Sequence, residues 1–204
     1  GWWLDTRRVG AQPLLIDCGL GEDISFPAAF LRRFAGARVI GVDPNPRSIA
    51  YCEQHRPPGM EVLSGAFWTH GDQTMVFHLP RRQDQLRHGA DGVSGSLDSS
   101  HEYVGGGEQI EVRTIDLDGL LAHAGSTECD VLKLDIEGAE YELLEALARS
   151  GKIRSARQVL VEFHHGWTRR TLDDTQMAVD QLAAAGFQLA HTEGRNFIFR
   201  RNDA

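Results

Sequence analysis

The chain has 204 residues, of which 41% are hydrophobic, and this is enough for one sizeable core but not for two full domains. A formal net charge of −8 disfavours a general electrostatic grip on nucleic acid or on an anionic membrane, so we expect a small-molecule partner. The three cysteines form no CxxC pair, and no apolar run is long enough for a membrane span or a signal-peptide core. We therefore expect a cytoplasmic protein without structural disulfides.

Strands and helices alternate along the chain. Apolar runs bounded by turn residues predict strands, and apolar residues at helical spacing predict the helices between them. The predicted strands cover 13–18, 38–42, 61–63, 74–79, 110–115, 131–134 and 158–163, and the predicted helices cover 24–34, 44–55, 117–122, 139–144 and 171–185. Residues 187–191 and 196–200 read as a hairpin that turns at 193–195. This order predicts an α/β fold with a doubly wound, mostly parallel sheet and a C-terminal antiparallel hairpin.

A long polar stretch interrupts this alternation at residues 80–109. It contains three arginines and the glycine triplet at 105–107, and it shows no apolar periodicity. Loops of this length are uncommon inside a compact domain and are usually functional. We predict that it forms a substrate cap, part of a single domain over 1–204, that orders over bound acceptor.

The first strand leads into a glycine-rich turn, Asp17-Cys18-Gly19-Leu20-Gly21-Glu22-Asp23. Gly19 and Gly21 have the spacing of the dinucleotide fingerprint, but Ile24 occupies the position of its third glycine. Two acidic side chains would repel a pyrophosphate at this helix N-terminus, whereas they suit the ammonium and sulfonium groups of S-adenosylmethionine. Ser25 or amides of the turn could bind the carboxylate of that cofactor. An ordinary tight turn between strand and helix is the alternative.

The next two strand ends suggest an adenosine ligand. Asp43 ends the second strand, where a carboxylate can accept both ribose hydroxyls of NAD or of S-adenosylmethionine. Alternatively, Asp43 only caps the helix that follows it. The third strand ends in Ser64-Gly65-Ala66-Phe67-Trp68, where Ala66 would let an adenine ring lie flat and an aromatic ring could stack on it.

The segment Val131-Leu132-Lys133-Leu134-Asp135-Ile136-Glu137-Gly138-Ala139-Glu140 predicts a buried strand, a glycine break and an amphipathic helix. Ligands bind at the carboxyl ends of strands in such sheets, so Asp135 and Glu137 should face a site. Glu137 and Glu140 could instead serve only to complement the dipole of the helix.

The fifth core strand ends in Glu162, Phe163, His164 and His165. Glu162 and His164 are two residues apart and should share one face, close to Asp135 on the neighbouring strand. We predict a catalytic cluster of Asp135, Glu162 and His164, with His164 as a base assisted by Glu162. The same three side chains could instead hold a divalent cation, or the histidine pair could be a solvated strand end.

Five segments resemble, in order, the FkbM-type methyltransferases: LLIDCGLGEDISF, VIGVDPNP, VRTIDLDGLL, VLKLDIEGAEYELL and VLVEFHH. The resemblance implies a class I methyltransferase fold, S-adenosylmethionine as cofactor, and O-methylation of a hydroxyl on a sugar, polyketide or other natural product. It carries cofactor binding onto Asp17, Gly19, Gly21 and Asp43, and a site role onto Asp135. An NAD-dependent oxidoreductase and a non-catalytic S-adenosylmethionine-binding scaffold are the alternatives.

Overall fold

The structure is a computed structural model that describes residues 1–80, 94–102, 104 and 107–202. The strands are β1 (Leu14–Cys18), β2 (Arg38–Asp43), β3 (Met60–Ser64), β4 (Ala66–Phe67), β5 (Thr74–His78), β6 (Gln109–Ile115), β7 (Cys129–Leu134), β8 (Ala156–Glu162), β9 (Phe187–Glu193) and β10 (Asn196–Arg201). The helices are α1 (Ser25–Arg33), α2 (Pro46–His55), α3 (Leu117–His123), α4 (Glu140–Ser150) and α5 (Leu172–Ala184).

Seven strands form the main sheet, in the order β3-β2-β1-β7-β8-β10-β9. The first five are parallel, and β10 and β9 form the antiparallel edge. The predicted doubly wound sheet and C-terminal hairpin are therefore confirmed. Successive strands from β1 to β3 are added on one side of β1, and the strands from β7 onward are added on its other side. In open α/β sheets the crevice at such a switch point is the usual ligand site.

Both faces of the sheet are covered by apolar clusters, and β1 shows why. Leu14, Ile16 and Cys18 belong to the larger cluster, whereas Leu15 belongs to the other. Successive side chains of a strand point to opposite faces, so a run that is apolar at nearly every position is buried on both. Asp17 is the polar exception in this strand.

A second sheet of three strands, in the order β4-β6-β5, lies beside the carboxyl end of β3. The sequence predicted β5 and β6 but not β4, because a strand of two residues has too few positions to show an alternating pattern. Ala66, Phe77 and Val112 form its small apolar cluster.

The N-terminal segment is hydrogen-bonded to β7 and β8 of the main sheet. Asp5 and Gln158 exchange two hydrogen bonds, from the Asp5 amide to the Gln158 side chain and back to the Asp5 carbonyl. The carboxylate of Asp130 in β7 accepts hydrogen bonds from the amides of Gly10 and Leu14 at 2.7 and 2.9 Å. The first fourteen residues are thereby anchored by the side chains of β7 and β8.

Much of the predicted cap at 80–109 lies outside the described residues, namely 81–93, 103, 105 and 106. In the described part, Ser96 pairs with His78 in an antiparallel bridge, and residues 94, 95 and 97 line a cleft at the carboxyl ends of β1, β2 and β7. Closure over an acceptor stays a prediction. Among the described residues, no helix combines the length and the apolar composition that a membrane span needs.

Candidate active site

The main cleft lies at the carboxyl ends of β1, β2 and β7 and has a volume of about 250 Å³. Its wall combines the glycine-rich turn after β1 with Asp43, Ala66, Asp135 and Glu137. Four of the six residues predicted to bind cofactor thus line one cavity: Gly19, Gly21, Asp43 and Ala66.

Gly19 lies where the turn passes directly beside β7. Its φ is +85°, and a Cβ at this position would overlap the backbone carbonyl of Asp135. The amide of Asp135 donates to the carbonyl of Cys18 at 3.0 Å. Gly21 also has a positive φ, of +54°. Only a residue without a Cβ can bring the turn this close to the Asp135 backbone.

Asp43 holds the turn from the opposite side. Its Oδ2 accepts hydrogen bonds from the amides of Leu20 and Gly21 at 2.9 and 3.0 Å, and its Oδ1 accepts one from Asn45. Burial raises the pKa of Asp43 to about 6, although these hydrogen bonds lower it. The cap of α2 is Asn45, not Asp43. Asp43 therefore orders the turn and presents a carboxylate to the cavity.

The acidic turn is partly neutralised. Glu22 pairs with Arg47 through two hydrogen bonds of 2.6 and 2.9 Å, so Asp23 carries most of the uncompensated charge of the turn. Ser25 begins α1 on the exposed surface, and its amide donates to the Asp23 carboxylate at 2.8 Å. Ser25 does not line the cleft, and the binding of the cofactor carboxylate by Ser25 or by amides of the turn stays a prediction.

Asp17 is buried behind the turn and does not line the cleft. It pairs with Lys133 Nζ at 2.9 Å, and the same ammonium lies 3.4 Å from the Gly19 carbonyl and 3.8 Å from the Asp135 carboxylate. Burial would lower the pKa of Lys133, but Asp17 and Asp135 raise it to a greater extent. The Asp17 side chain is thus taken up by Lys133 behind the wall of the cleft, and its contact with the cofactor stays a prediction.

His164, just beyond β8, lies in a buried cluster of carboxylates. Its Nδ1 is 3.1 Å from Glu140 Oε1, and its backbone amide donates to the same oxygen at 2.8 Å. Its Nε2 is 3.1 Å from Glu137 Oε2 and 3.8 Å from Asp135 Oδ1. His101 Nε2 lies 2.9 Å from Glu137 Oε2 on the far side. Residues that follow β7 and β8, the first residue of α4 and a residue of the segment before β6 thus converge here.

The cluster shifts the pKa values of its members in opposite directions. Burial raises the pKa of Asp135 to about 7, with Lys133 opposing and Glu162 adding to the shift. Burial would raise the pKa of Glu137, but hydrogen bonds from His101 and His164 lower it well below its usual range. Burial likewise opposes the charged form of His164, yet Glu137 and Glu140 raise its pKa well above the ordinary value. A histidine that keeps its proton is poorly suited to the predicted role of base.

Glu162 lies at the edge of this cluster. Among the described residues Glu162 pairs with Arg195, at 3.6 Å, and the carboxylates at 3.1 Å from the His164 ring are those of Glu137 and Glu140. His165 Nδ1 lies 3.1 Å from the hydroxyl of Thr175, away from the cluster. Asp135 and His164 therefore lie close together, whereas the place predicted for Glu162 beside His164 is taken by Glu137 and Glu140.

The sequence matches the methyltransferase FkbM domain family over residues 9–189. The chain belongs to the FkbM methyltransferase family. It is thus a methyltransferase that depends on S-adenosylmethionine. A search of curated protein sequences found no match.

Solved structures share the fold of this FkbM domain at low sequence identity. The fibrillarin pre-rRNA processing protein of Methanococcus jannaschii is 10% identical with a TM-score of 0.51, and the match covers 94% of this chain and 67% of that one. The MTase domain of METTL16 is 12% identical with a TM-score of 0.50, covering 94% of this chain and 60% of the other. These likenesses establish a class I methyltransferase fold.

The residues of this FkbM domain also suit the cofactor chemically. The cleft is lined by Asp23, Asp43, Asp135 and Glu137, a set that favours a ligand carrying positive charge over one carrying a pyrophosphate. When bound, S-adenosylmethionine would supply a methyl group on a positively charged sulfur.

Sequence reasoning missed several residues of this FkbM site. Lys133 lies inside an apolar strand, and that unusual position was its only signal. Glu140 stands in the first turn of α4, where the sequence suggests a role toward the helix dipole, but it is fully buried and accepts hydrogen bonds from Gly138 and His164. His101 comes from a long polar loop whose path no local pattern could predict.

Proposed function

We propose that this FkbM methyltransferase transfers the methyl group to a hydroxyl oxygen of a small polar acceptor. The observation that carries the proposal is the single cleft that joins the glycine-rich turn, Asp43 and Asp135. One end of this cleft suits the adenosine and methionine parts of the cofactor. The other end suits an acceptor, because the carboxylate of Asp135 lies there and can accept a hydrogen bond from a hydroxyl group.

A second cleft adjoins the first and shares Leu97 and Ala139 with it. Trp68 offers an aromatic surface there, and Asp98, Glu142 and Arg170 offer polar groups. A neutral polyhydroxylated acceptor would be matched by an aromatic surface beside mixed charges. The net negative charge and acidic cleft support such an acceptor more than a nucleic acid.

In this proposal each residue has a limited task. Asp43 holds the ribose hydroxyls, and the amides of the turn meet the methionine end. Asp135, held by Lys133, aligns the acceptor hydroxyl with the methyl group. The acceptor oxygen forms its bond to the methyl carbon as the bond from that carbon to sulfur breaks. The hydroxyl proton leaves to the carboxylates of the cleft and then to solvent.

The test has two stages. Calorimetric titration with S-adenosylhomocysteine should show one site, and Asp43→Ala should weaken binding more than about tenfold, the effect of a lost charged pair of hydrogen bonds. Asp118→Ala is the matched control, because Asp118 in α3 forms a surface ion pair with Lys152, which follows α4. Unchanged affinity in Asp43→Ala would remove Asp43 from the site.

The second stage uses methyl-labelled S-adenosylmethionine with a panel of hydroxylated metabolites, and NMR to locate the labelled carbon. A carbon attached to oxygen is the expected result. Transfer only to nitrogen or carbon would refute the proposed acceptor chemistry. Cofactor binding without transfer to any acceptor would favour a scaffold, and quenching of NADH fluorescence by the protein would favour an oxidoreductase.

A further inference from the structure

We propose that Asp135, Glu137 and His164 form a binding site for one divalent metal ion beside the cofactor cleft. Nitrogen and oxygen atoms of these three side chains lie within 4.8 Å of one another. The set differs from the one that the sequence suggested, because Glu137 takes the place of Glu162. The structural part of the proposal is independent of the acceptor, whereas the role assigned to the ion rests on the proposed function.

The distances between the atoms fit one face of a coordination sphere. Ligands at right angles around an ion at about 2.1 Å are separated by about 3 Å. His164 Nε2 and Glu137 Oε2 are 3.1 Å apart, and His164 Nε2 and Asp135 Oδ1 are 3.8 Å apart. A shift of Asp135 by about 0.8 Å toward His164 Nε2 would bring this pair to the same separation. An ion here would replace the proton shared by His164 and Glu137.

The surroundings fix the ligands in orientations that suit a metal ion. Glu140 is fully buried and contacts both Nδ1 and the backbone amide of His164, which leaves Nε2 to face Asp135 and Glu137. A carboxylate behind the far nitrogen of a histidine is the usual outer partner of a metal-binding imidazole. His101 gives Glu137 a similar partner at 2.9 Å.

The charge of the cluster supports a cation independently. Four carboxylates, those of Asp17, Asp135, Glu137 and Glu140, surround a single ammonium, that of Lys133, and the imidazoles of His101 and His164. With all four carboxylates ionised, this group of described residues has four negative charges against at most three positive ones, those of Lys133 and the two imidazoles. A divalent cation would neutralise the excess without leaving the buried carboxylates unpaired.

The donor set indicates the class of ion. One imidazole and two carboxylates suit Mn²⁺ and other divalent first-row ions better than Ca²⁺, which prefers six to eight oxygen ligands. Asp135 and Glu137 line the cleft, so the open positions of the ion would face the acceptor. An ion there would hold the acceptor hydroxyl and lower its pKa.

The experiment titrates the full chain with Mn²⁺ and follows free Mn²⁺ by electron paramagnetic resonance. One ion per chain is expected, with nitrogen coupling from a histidine in the pulsed spectrum. Glu137→Gln should weaken Mn²⁺ binding at least tenfold, and Glu140→Gln should weaken it 10- to 100-fold by releasing the imidazole. Glu162→Gln is the matched control and should keep the affinity within twofold.

The contrary outcomes are equally defined. Absence of a stoichiometric Mn²⁺ site, or a site without nitrogen coupling in the unaltered protein, would overturn the proposal whether or not the variants fold. Loss of Mn²⁺ binding in Glu162→Gln with retention in Glu137→Gln would assign the ion to the set suggested by the sequence. Titration with S-adenosylhomocysteine in parallel separates this failure from a failure of the proposed methyl transfer.

Discussion

Replacement of Gly19 by alanine should disrupt both stability and cofactor binding, because two separate penalties coincide there. The first is conformational: φ is +85°, and an alanine in the left-handed region costs roughly 1–2 kcal/mol. The second is steric: the new Cβ would overlap the carbonyl of Asp135, which is backbone and cannot rotate away. Overpacking of this kind typically costs about 1–3 kcal/mol. Together they predict a loss of roughly 2–5 kcal/mol in the free energy of unfolding.

Gly125→Ala isolates the first penalty. Gly125 has a φ of +61°, yet no atom lies within 4 Å of the position that a Cβ would take there, and it follows α3 at the end of the sheet opposite the cleft. Urea unfolding should show a loss of about 1–2 kcal/mol in Gly125→Ala and a clearly larger one in Gly19→Ala. In melting temperature, a protein of this size loses about 2–4 °C per kcal/mol.

The two variants should also separate in binding. Gly19→Ala must push the turn away from β7, so calorimetry should show S-adenosylhomocysteine binding weakened at least tenfold, whereas Gly125→Ala should bind normally. Equal unfolding free energies in the two variants, together with normal binding in Gly19→Ala, would refute the close approach of the turn to Asp135.

Three further predictions test other parts of the fold and site. Because the ionised form of Asp43 is the one that accepts the ribose hydroxyls, cofactor affinity should fall as pH drops through about 6, by roughly tenfold at pH 5, and Asp43→Asn should remove this pH dependence. Lys133→Met should lower the free energy of unfolding by about 3–5 kcal/mol, because it leaves Asp17 buried without its ammonium partner. The control, Lys152→Met at a surface ion pair, should lower it by less than about 1 kcal/mol. Equal urea midpoints in the two variants would show that the buried pair adds no stability. Thr171→Ala should cost about 1 kcal/mol by removing the capping box of α5, with S-adenosylhomocysteine affinity unchanged, and a large loss of affinity would mean that α5 reaches the cofactor.

The sequence predicted the fold well because the main strands and helices carry strong local patterns. Leu14 to Cys18 is apolar around one aspartate, and Thr171 to Ala185 begins with a capping residue and keeps a helical period. β4 was not predicted, because a strand of two residues is too short to show an alternating pattern. The position of Asp43 at a strand end also followed from the sequence, because the end of a strand is marked by the turn residues after it.

The side-chain partners within the site were harder to predict. Same-face spacing placed Glu162 beside His164, but His164 lies beyond the end of β8, where the alternation of a strand no longer applies. Asp17 and Lys133 face each other across β1 and β7, a pairing that depends on the register of two strands 116 residues apart. His101 reaches the cluster from a loop. In each case, contacts between segments that are distant in sequence decide which side chains meet.

The anchoring of the N-terminal segment has a consequence for synthesis on the ribosome. Asp5 emerges 153 residues before Gln158, and Gly10 and Leu14 emerge 120 and 116 residues before Asp130. Until β7 has emerged, the edge of β1 that will pair with β7 stays unpaired, although β2 can already pair with the other edge. An open apolar strand edge invites association with other nascent chains. A chain that ends before residue 130 should therefore aggregate and should not form a smaller folded domain.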